Sequence, residues 1–381
     1  MHIGYITSEY PHLEVNRSAG IATSLKNLAL ALTKKGVVVT IFIYGQKENK
    51  VIYDGQIKLH LIQSKSYPLF KWYFYRKHIQ KLVNEIVDRE VIDVIEAPDW
   101  TGITAFMTFK RPLVIRFHGS DAYFCKLEGR KQKLKNFMFE KLALQKADAY
   151  IAPTTFAGKE TAEIFKLNKK KIKTIHYGLR LENFKNENPN KYQRGVILYI
   201  GTIIRKKGVM ELAQIFNKVI EINPTAKLLM IGSDAPDIKT GNSSTYKLME
   251  SLFSEPAKES SSYLGKVPYI EVQSFIKSAH ICVFPSFAET LGMVTIESMA
   301  MQKPVVNTSI GWAQEIIQDG VDGFLEHPSY INEYAAKINA LLNDENLCAE
   351  IGQMARQKVE QVFNIHDNAA QNINFYKSIL K

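Results

Sequence analysis

Short apolar runs alternate with helix-length amphipathic stretches along the whole chain, and nothing else in the sequence constrains its fold as strongly. In the first half, residues 2–7, 37–44, 91–96, 113–117 and 149–152 read as strands, with a helix over 20–35 between the first two. In the second half, residues 195–201, 227–232, 280–285 and 304–308 read the same way, each followed by a loop and a helix. Runs apolar on both faces belong in parallel sheets covered by helices on both sides, which predicts an α/β protein.

At 381 residues the chain exceeds one ordinary core, so two domains are expected. The polar stretch 182–194, which carries Pro189, interrupts the strand pattern, which then starts afresh. This gives domains over 1–185 and 186–365, with a last helix at about 366–381 free to return to the first. The two halves begin alike, as strand, turn, glycine, helix and strand. That duplication predicts two Rossmann-like, doubly wound domains facing each other across a cleft, with ligands beyond the carboxyl ends of the strands.

Aromatic residues at 11% and charged residues at 23% argue against disorder or a low-complexity polymer. Three cysteines are too few for a disulfide framework or a zinc cluster, and a cytoplasmic setting is expected. The N-terminus reads as a strand and not a signal peptide. No run of about 18 apolar residues exists to span a membrane. The net charge of +11 is uneven: residues 1–190 hold 31 Lys+Arg and 18 Asp+Glu, a balance of +13, and the remainder balances at −2.

Two loops carry chemistry. Gly201-Thr-Ile-Ile-Arg-Lys-Lys-Gly208 follows a strand and precedes a helix. Free N–H groups at that helix start, beside Arg205, Lys206 and Lys207, suit a diphosphate. A basic cluster elsewhere would read as a solvated turn; its position after a strand favours an anion site. No Walker loop and no Gly-x-Gly-x-x-Gly is present, which disfavours a P-loop kinase or a nicotinamide dehydrogenase.

The second loop runs from Phe284 to Ala300. Glu289 follows the strand, a helix is expected over 290–300, and Glu297 lies eight residues beyond Glu289. Taken alone, Glu289 would be a helix cap and Glu297 a surface residue. A glycosidase pair needs carboxylates about 5 to 10 Å apart. Eight helical residues span about 12 Å, so these two are expected to grip two ends of one extended ligand. A carboxylate accepting two hydroxyls suits a sugar diol, and the N–H groups of Leu291, Gly292 and Met293 suit phosphate or sugar oxygens.

This spacing resembles the E-x7-E signature of the GT4 family of retaining glycosyltransferases, glycosyltransferase group 1, which have the GT-B fold. The resemblance runs through Gly201, Lys207-Gly208, Gly265-Lys-Val267, Pro285-Ser286, Glu289, Gly292, Glu297, Pro304-Val-Val306, Gly311, Glu315 and Gly323-Phe-Leu325. It implies that the second domain binds a nucleoside-diphosphate sugar and the first the acceptor. Lys207 is implied on the diphosphate, Glu297 on the ribose hydroxyls, Glu289 on the transferred sugar and the turn at Val267 on the base. Gly20 resembles the glycine that approaches the diphosphate, and His118, in Arg116-Phe-His-Gly-Ser-Asp121, the active-site histidine. The sequence departs from the pattern where many members have Arg after the loop glycine. It has Thr202 there, with Arg205 three residues on, so Arg205 is also a donor-binding candidate. Gln302 and Ile310-Gly311 are further departures, in the sugar pocket. With no Asp-x-Asp motif, neither a metal nor another cofactor is expected, and Arg205 and Lys207 stand in for metal charge. The implied reaction is hexosyl transfer with retention, in polysaccharide, glycolipid or other glycoconjugate synthesis.

The acceptor side is read from Glu96 and Asp99 after another strand, and from 65–78, where five aromatics beyond Tyr67 mix with Lys65, Lys71, Arg76 and Lys77 and no acid. Residues 126–146 add seven more cations. Such segments suit either a solvated helix whose aromatics pack inward or an anionic membrane surface, with a saccharide or lipid-linked acceptor. A sugar-nucleotide epimerase or a phosphorylase would keep the fold. A nucleic-acid-binding protein would explain the charge but lacks any helix-turn-helix, zinc or RNP pattern and leaves the Glu289/Glu297 pair without a role.

Overall fold

In the computed structural model, which describes residues 1–18 and 20–380, the chain forms two units. One comprises Met1–Leu179 and the segment from Asn364 onward; the other is Arg180–Phe363. The division lies a few residues ahead of the polar stretch 182–194, because that stretch is tied to the second unit. Asn186 Nδ2 donates to the Met301 carbonyl at 3.0 Å, Arg356 Nη1 to the Phe184 carbonyl at 2.6 Å and the Gln193 N–H to the Ser278 carbonyl at 2.8 Å.

The first unit is an 8-stranded sheet in the order β3-β4-β2-β1-β5-β6-β7-β8. Its strands are β1 (His2–Thr7), β2 (Val38–Gln46), β3 (Lys50–Asp54), β4 (Ile57–Gln63), β5 (Val94–Pro98), β6 (Leu113–Arg116), β7 (Ala149–Ala152) and β8 (Ile172–Thr174). All neighbours are parallel except β3 and β4, an antiparallel hairpin. Helices α1 (Gly20–Lys34), α2 (Lys71–Glu90), α3 (Asp121–Leu127), α4 (Leu134–Gln145) and α5 (Thr155–Phe165) complete it. The period of two is visible in β1: Ile3 and Tyr5 join one hydrophobic cluster with α1, and Ile6 joins the other with α2.

The second unit is a 6-stranded, wholly parallel sheet in the order β11-β10-β9-β12-β13-β14. These are β9 (Val196–Ile200), β10 (Lys227–Ile231), β11 (Ser261–Tyr263), β12 (Ile281–Phe284), β13 (Val305–Thr308) and β14 (Phe324–Glu326). Its helices are α6 (Val209–Ile222), α7 (Thr245–Glu250), α8 (Glu255–Glu259), α9 (Tyr269–Ser278), α10 (Met293–Ala300), α11 (Ile331–Asn343) and α12 (Glu345–Val362). In α6 the buried positions Val209, Leu212, Ala213, Phe216 and Ile220 recur at helical spacing, so one stripe of the helix covers the sheet.

The last helix, α13 (Ile365–Ile379), belongs to the first unit and packs on α1. Among the described residues, no helix is long and apolar enough to cross a membrane. The sequence reading missed β3, β4, β8, β11 and β14. The last three of these have only three residues each, too few to show a period.

Candidate functional site

The loop after β9 and the loop after β12 are fastened together by backbone. The Phe287 and Ala288 N–H groups both point to the Lys206 carbonyl, at 2.8 and 3.3 Å. Gly208 adopts φ 70° against the Pro285 carbonyl oxygen, which would lie 1.7 Å from any β-carbon placed there. Only glycine satisfies both the left-handed turn and the contact. This fastening brings Lys207 and Glu289 into a direct ion pair, both side chains about one-fifth exposed. Lys207, Glu289 and Gly292 line one recess together with Tyr199, Ser286, Thr295, Asn307 and Trp312. Asn307 Nδ2 donates to Thr295 Oγ1 at 3.0 Å and so joins β13 to α10.

The recess lies beyond strand ends and beside two helix starts, α6 and α10, whose cap residues Gly208 and Gly292 supply no side-chain oxygen to the first-turn N–H groups. The helix expected from residue 290 begins only at Met293, since Gly292 takes φ 93°. Glu289 is therefore a loop residue, and the helical 12 Å spacing to Glu297 does not apply. Leu291 is buried, and Met293 is the first helical residue.

Glu297 is 7% exposed inside α10 and accepts a 2.6 Å hydrogen bond from the Tyr269 hydroxyl. Burial pushes its carboxyl up to about 7, and the Tyr269 bond only partly opposes this. It does not line the Lys207–Glu289 recess. Val267 precedes α9 in the turn that delivers Tyr269. Arg205 gives its Nε to Asp237 Oδ1 at 2.7 Å. That pairing, with a hydrogen bond from Thr240, holds the Asp237 carboxyl far below the usual range. The side chain read from sequence as a phosphate ligand thus has a carboxylate partner on the protein itself.

In the first unit, a pocket opens at the ends of β1, β5 and β6 beneath α1 and α13, and His118, Glu96, Arg116, Ser24 and Asn368 help to line it. Gly20 starts α1, whose Ile21 and Ser24 face this pocket. The His118 ring stacks on Tyr177, and its Nδ1 lies 2.8 Å from the Tyr177 hydroxyl. That hydroxyl also lies 3.0 Å from the Phe117 carbonyl, so it ties the ring to its own loop. Burial, reinforced by Arg116, pushes the imidazole down to about 3 and keeps it neutral.

The two carboxylates assigned to the acceptor are internal. Asp99 is 0% exposed and receives the His118 N–H at 2.8 Å, so it holds the histidine loop; burial pushes its carboxyl up to about 7. Glu96 takes both ends of Arg116, at 2.7 and 3.0 Å, and the Tyr376 hydroxyl at 2.6 Å. Arg116 also reaches Asn372 Oδ1 at 2.6 Å, which ties α13 to the sheet. Asp99 does follow the strand, whereas Glu96, read as following it, lies inside β5, which runs on to Pro98; the partners of both are remote in sequence. Tyr269, Asn307 and Trp312 had also gone unmarked; the polar Asn307 closing the apolar run 304–306 was the available signal. Among the described residues, no group of three or more His, Cys, Asp or Glu is placed to hold a metal ion.

Two family profiles cover most of the chain: that described as Glycosyl transferases group 1 matches residues 181–358, and Glycosyltransferase Family 4 matches 18–183. An uncharacterised glycosyltransferase of Methanocaldococcus jannaschii is 25% identical over 99% of this chain and 98% of its own. The capsular polysaccharide biosynthesis glycosyltransferase CapM of Staphylococcus aureus is 30% identical over 58% of this chain and 52% of its own. Among solved structures, Anabaena HepE in complex with UDP and glucose superposes with a TM-score of 0.76 at 18% identity, over 99% of this chain and 100% of that one. The strand-end recess, the two parallel-sheet units and the paired profiles agree: this chain belongs to the group 1, family 4 glycosyltransferases and has the GT-B fold.

Proposed function

We propose that the chain moves a sugar from a nucleoside-diphosphate sugar to a hydroxyl of a saccharide or lipid-linked acceptor, with retention of configuration, in the synthesis of a cell-surface polysaccharide, glycolipid or other glycoconjugate. The observation that carries this reading is the Lys207–Glu289 pair beside two uncapped helix starts. Without ligand the two charges satisfy each other. A diphosphate offers Lys207 a stronger partner, reinforced by the first-turn N–H groups, and frees Glu289 to accept hydroxyl protons of the transferred sugar. These fixed donors face the charge that develops on the leaving diphosphate. Glu297 and Tyr269 suit the ribose hydroxyls. His118, held neutral by burial, suits a sugar hydroxyl. The UDP and glucose held by HepE and the capsular role of CapM support the donor and acceptor classes. No metal is required in this reading, because Lys207 and the helix ends supply the positive charge. The enzyme acts in the cytoplasm, at the inner face of the membrane.

Thermal-shift screening against UDP, GDP, ADP and RNA tests the ligand class, with one nucleoside diphosphate expected to stabilise the protein and RNA to have no effect. With that donor, Lys207→Ala should lower kcat by about 10²- to 10³-fold, the effect of removing one charge-stabilising group. Glu297→Ala should raise donor KM or abolish turnover. Kinetics unchanged in both variants would refute the assignment.

A further inference from the structure

We propose that the first unit carries a docking face for an anionic lipid surface, built from the start of α2 and the outer side of α4. In sequence these are separate segments, and the fold joins them through an aromatic platform. The Trp72 ring lies 5.1 Å from Phe139 and 5.4 Å from Phe106, and the Arg76 guanidinium sits 4.6 Å over Phe139. Arg76 also donates to the Trp72 carbonyl at 2.9 Å and to the Thr101 and Gly102 carbonyls at 3.3 Å. The inward-packing aromatics of the motif are therefore real, and they account for Trp72, Tyr73, Phe106 and Phe139.

They do not account for the side chains that stand out from the platform. Leu69 is 71% exposed, Phe70 61% and Phe74 45%; across on α4, Leu134 is 73% and Met138 51% exposed, one helical turn apart. Phe70 starts α2 from a left-handed backbone, φ 49° and ψ 37°, which its β-carbon makes unfavourable, and its ring meets Trp72 edge-on at 6.2 Å. Phe74 lies against Tyr67 and Tyr73, at 5.7 and 5.5 Å between ring centroids, and these ring contacts still leave both phenylalanines largely open to water.

Charge selects the occupant. Residues 64–84 contain no acid, and Lys65 and Lys71 are exposed there. Lys131, Lys133, Lys135 and Lys141 are exposed around Leu134 and Met138. The nearby carboxylates have internal partners. Glu140 is buried under the Asp121 and Ala122 N–H groups and the Gln132 amide, while Asp121 and Glu128 are paired with Arg130. Exposed apolar side chains ringed by lysines without exposed acids match an interface of acyl chains beneath anionic headgroups. An acidic protein surface would match the lysines and leave the five apolar side chains in water.

This face deepens the reading of a lipid-linked acceptor, yet vesicle binding can fail while sugar transfer stands. The test floats the full chain with vesicles of phosphatidylcholine containing about 30 mol% phosphatidylglycerol, and with phosphatidylcholine alone, at about 50 and about 500 mM salt. Binding is expected to the anionic vesicles at low salt, weakened at high salt and weaker still without the anionic lipid. The triple variant Phe70→Ser, Leu134→Ser, Met138→Ser should bind at least about tenfold more weakly with an unchanged melting temperature. Leu134→Ser alone, at the most exposed of these positions, provides a milder check on folding and should weaken binding in the same direction. Failure to float at low salt, unchanged binding of both variants, or retention by an acidic polymer without vesicle binding would overturn the proposal.

Discussion

At the scale of single residues, Glu297 shows how burial changes a side chain that sequence reads only as a carboxylate. Its pKa in the folded state is about 7, above the ordinary value of 4.5, because the charged form is desolvated within α10. The folded protein therefore holds a proton that the unfolded chain releases between those two values. Stability contributed by the neutral form is present below pH 4.5 and is lost as pH rises towards 7. The shift is worth roughly 3 kcal/mol. Glu297→Gln removes this dependence, so urea midpoints of the two proteins should diverge from pH 5 to 8 with the variant gaining on the wild type. Parallel pH profiles would show that the carboxyl is not desolvated. The E-x7-E spacing was legible in sequence; the hydrogen bond from Tyr269 was not, because the pair is 28 residues apart.

At the scale of elements, α13 is held to the first unit by polar as well as apolar contacts. Ile365, Ala369 and Tyr376 enter the hydrophobic cluster shared with β1 and α1. Beneath them Arg116 of β6 and Glu96 of β5 form a buried pair whose remaining valences are taken by Asn372 and Tyr376. Removing one member of such a pair leaves the other charged and unpaired in a dry site, a cost of about 3 to 5 kcal/mol. Arg116→Met should lower stability by that amount in chemical denaturation. The Glu96→Gln, Arg116→Met double variant should recover part of the loss, since the stranded carboxylate is gone; no recovery would show that the pair is not coupled. The loop clamps act at the same scale. The helix start at Gly208 and the exit of β12 at Pro285 meet through backbone alone, so the sequence marks the place only by a glycine.

At the scale of the whole molecule, burial holds several histidines neutral, and in each unit one of them is pushed far down. His118 in the first is pushed down to about 3, and His280 in the second to about 4. Both lie below the unfolded value of 6.5, so the unfolded chain takes up protons that the folded chain refuses. This contribution is complete above pH 6.5 and is lost as pH falls towards 4 and 3. Relative to wild type, His118→Gln and His280→Gln should each gain stability between pH 6.5 and 5 in denaturant titrations. Differences that do not vary with pH would sink the assignment. The alternation of apolar runs and amphipathic stretches by itself determined two α/β units on mainly parallel sheets, and the spacing from Gly201 to Leu325 determined the family, because both depend on local periodicity and order along the chain. Only tertiary structure decided which charges meet. Lys207 with Glu289, Arg205 with Asp237, Glu96 with Arg116 and the α2–α4 face all join residues distant in sequence, and long-range packing leaves no periodic trace in the chain that encodes it.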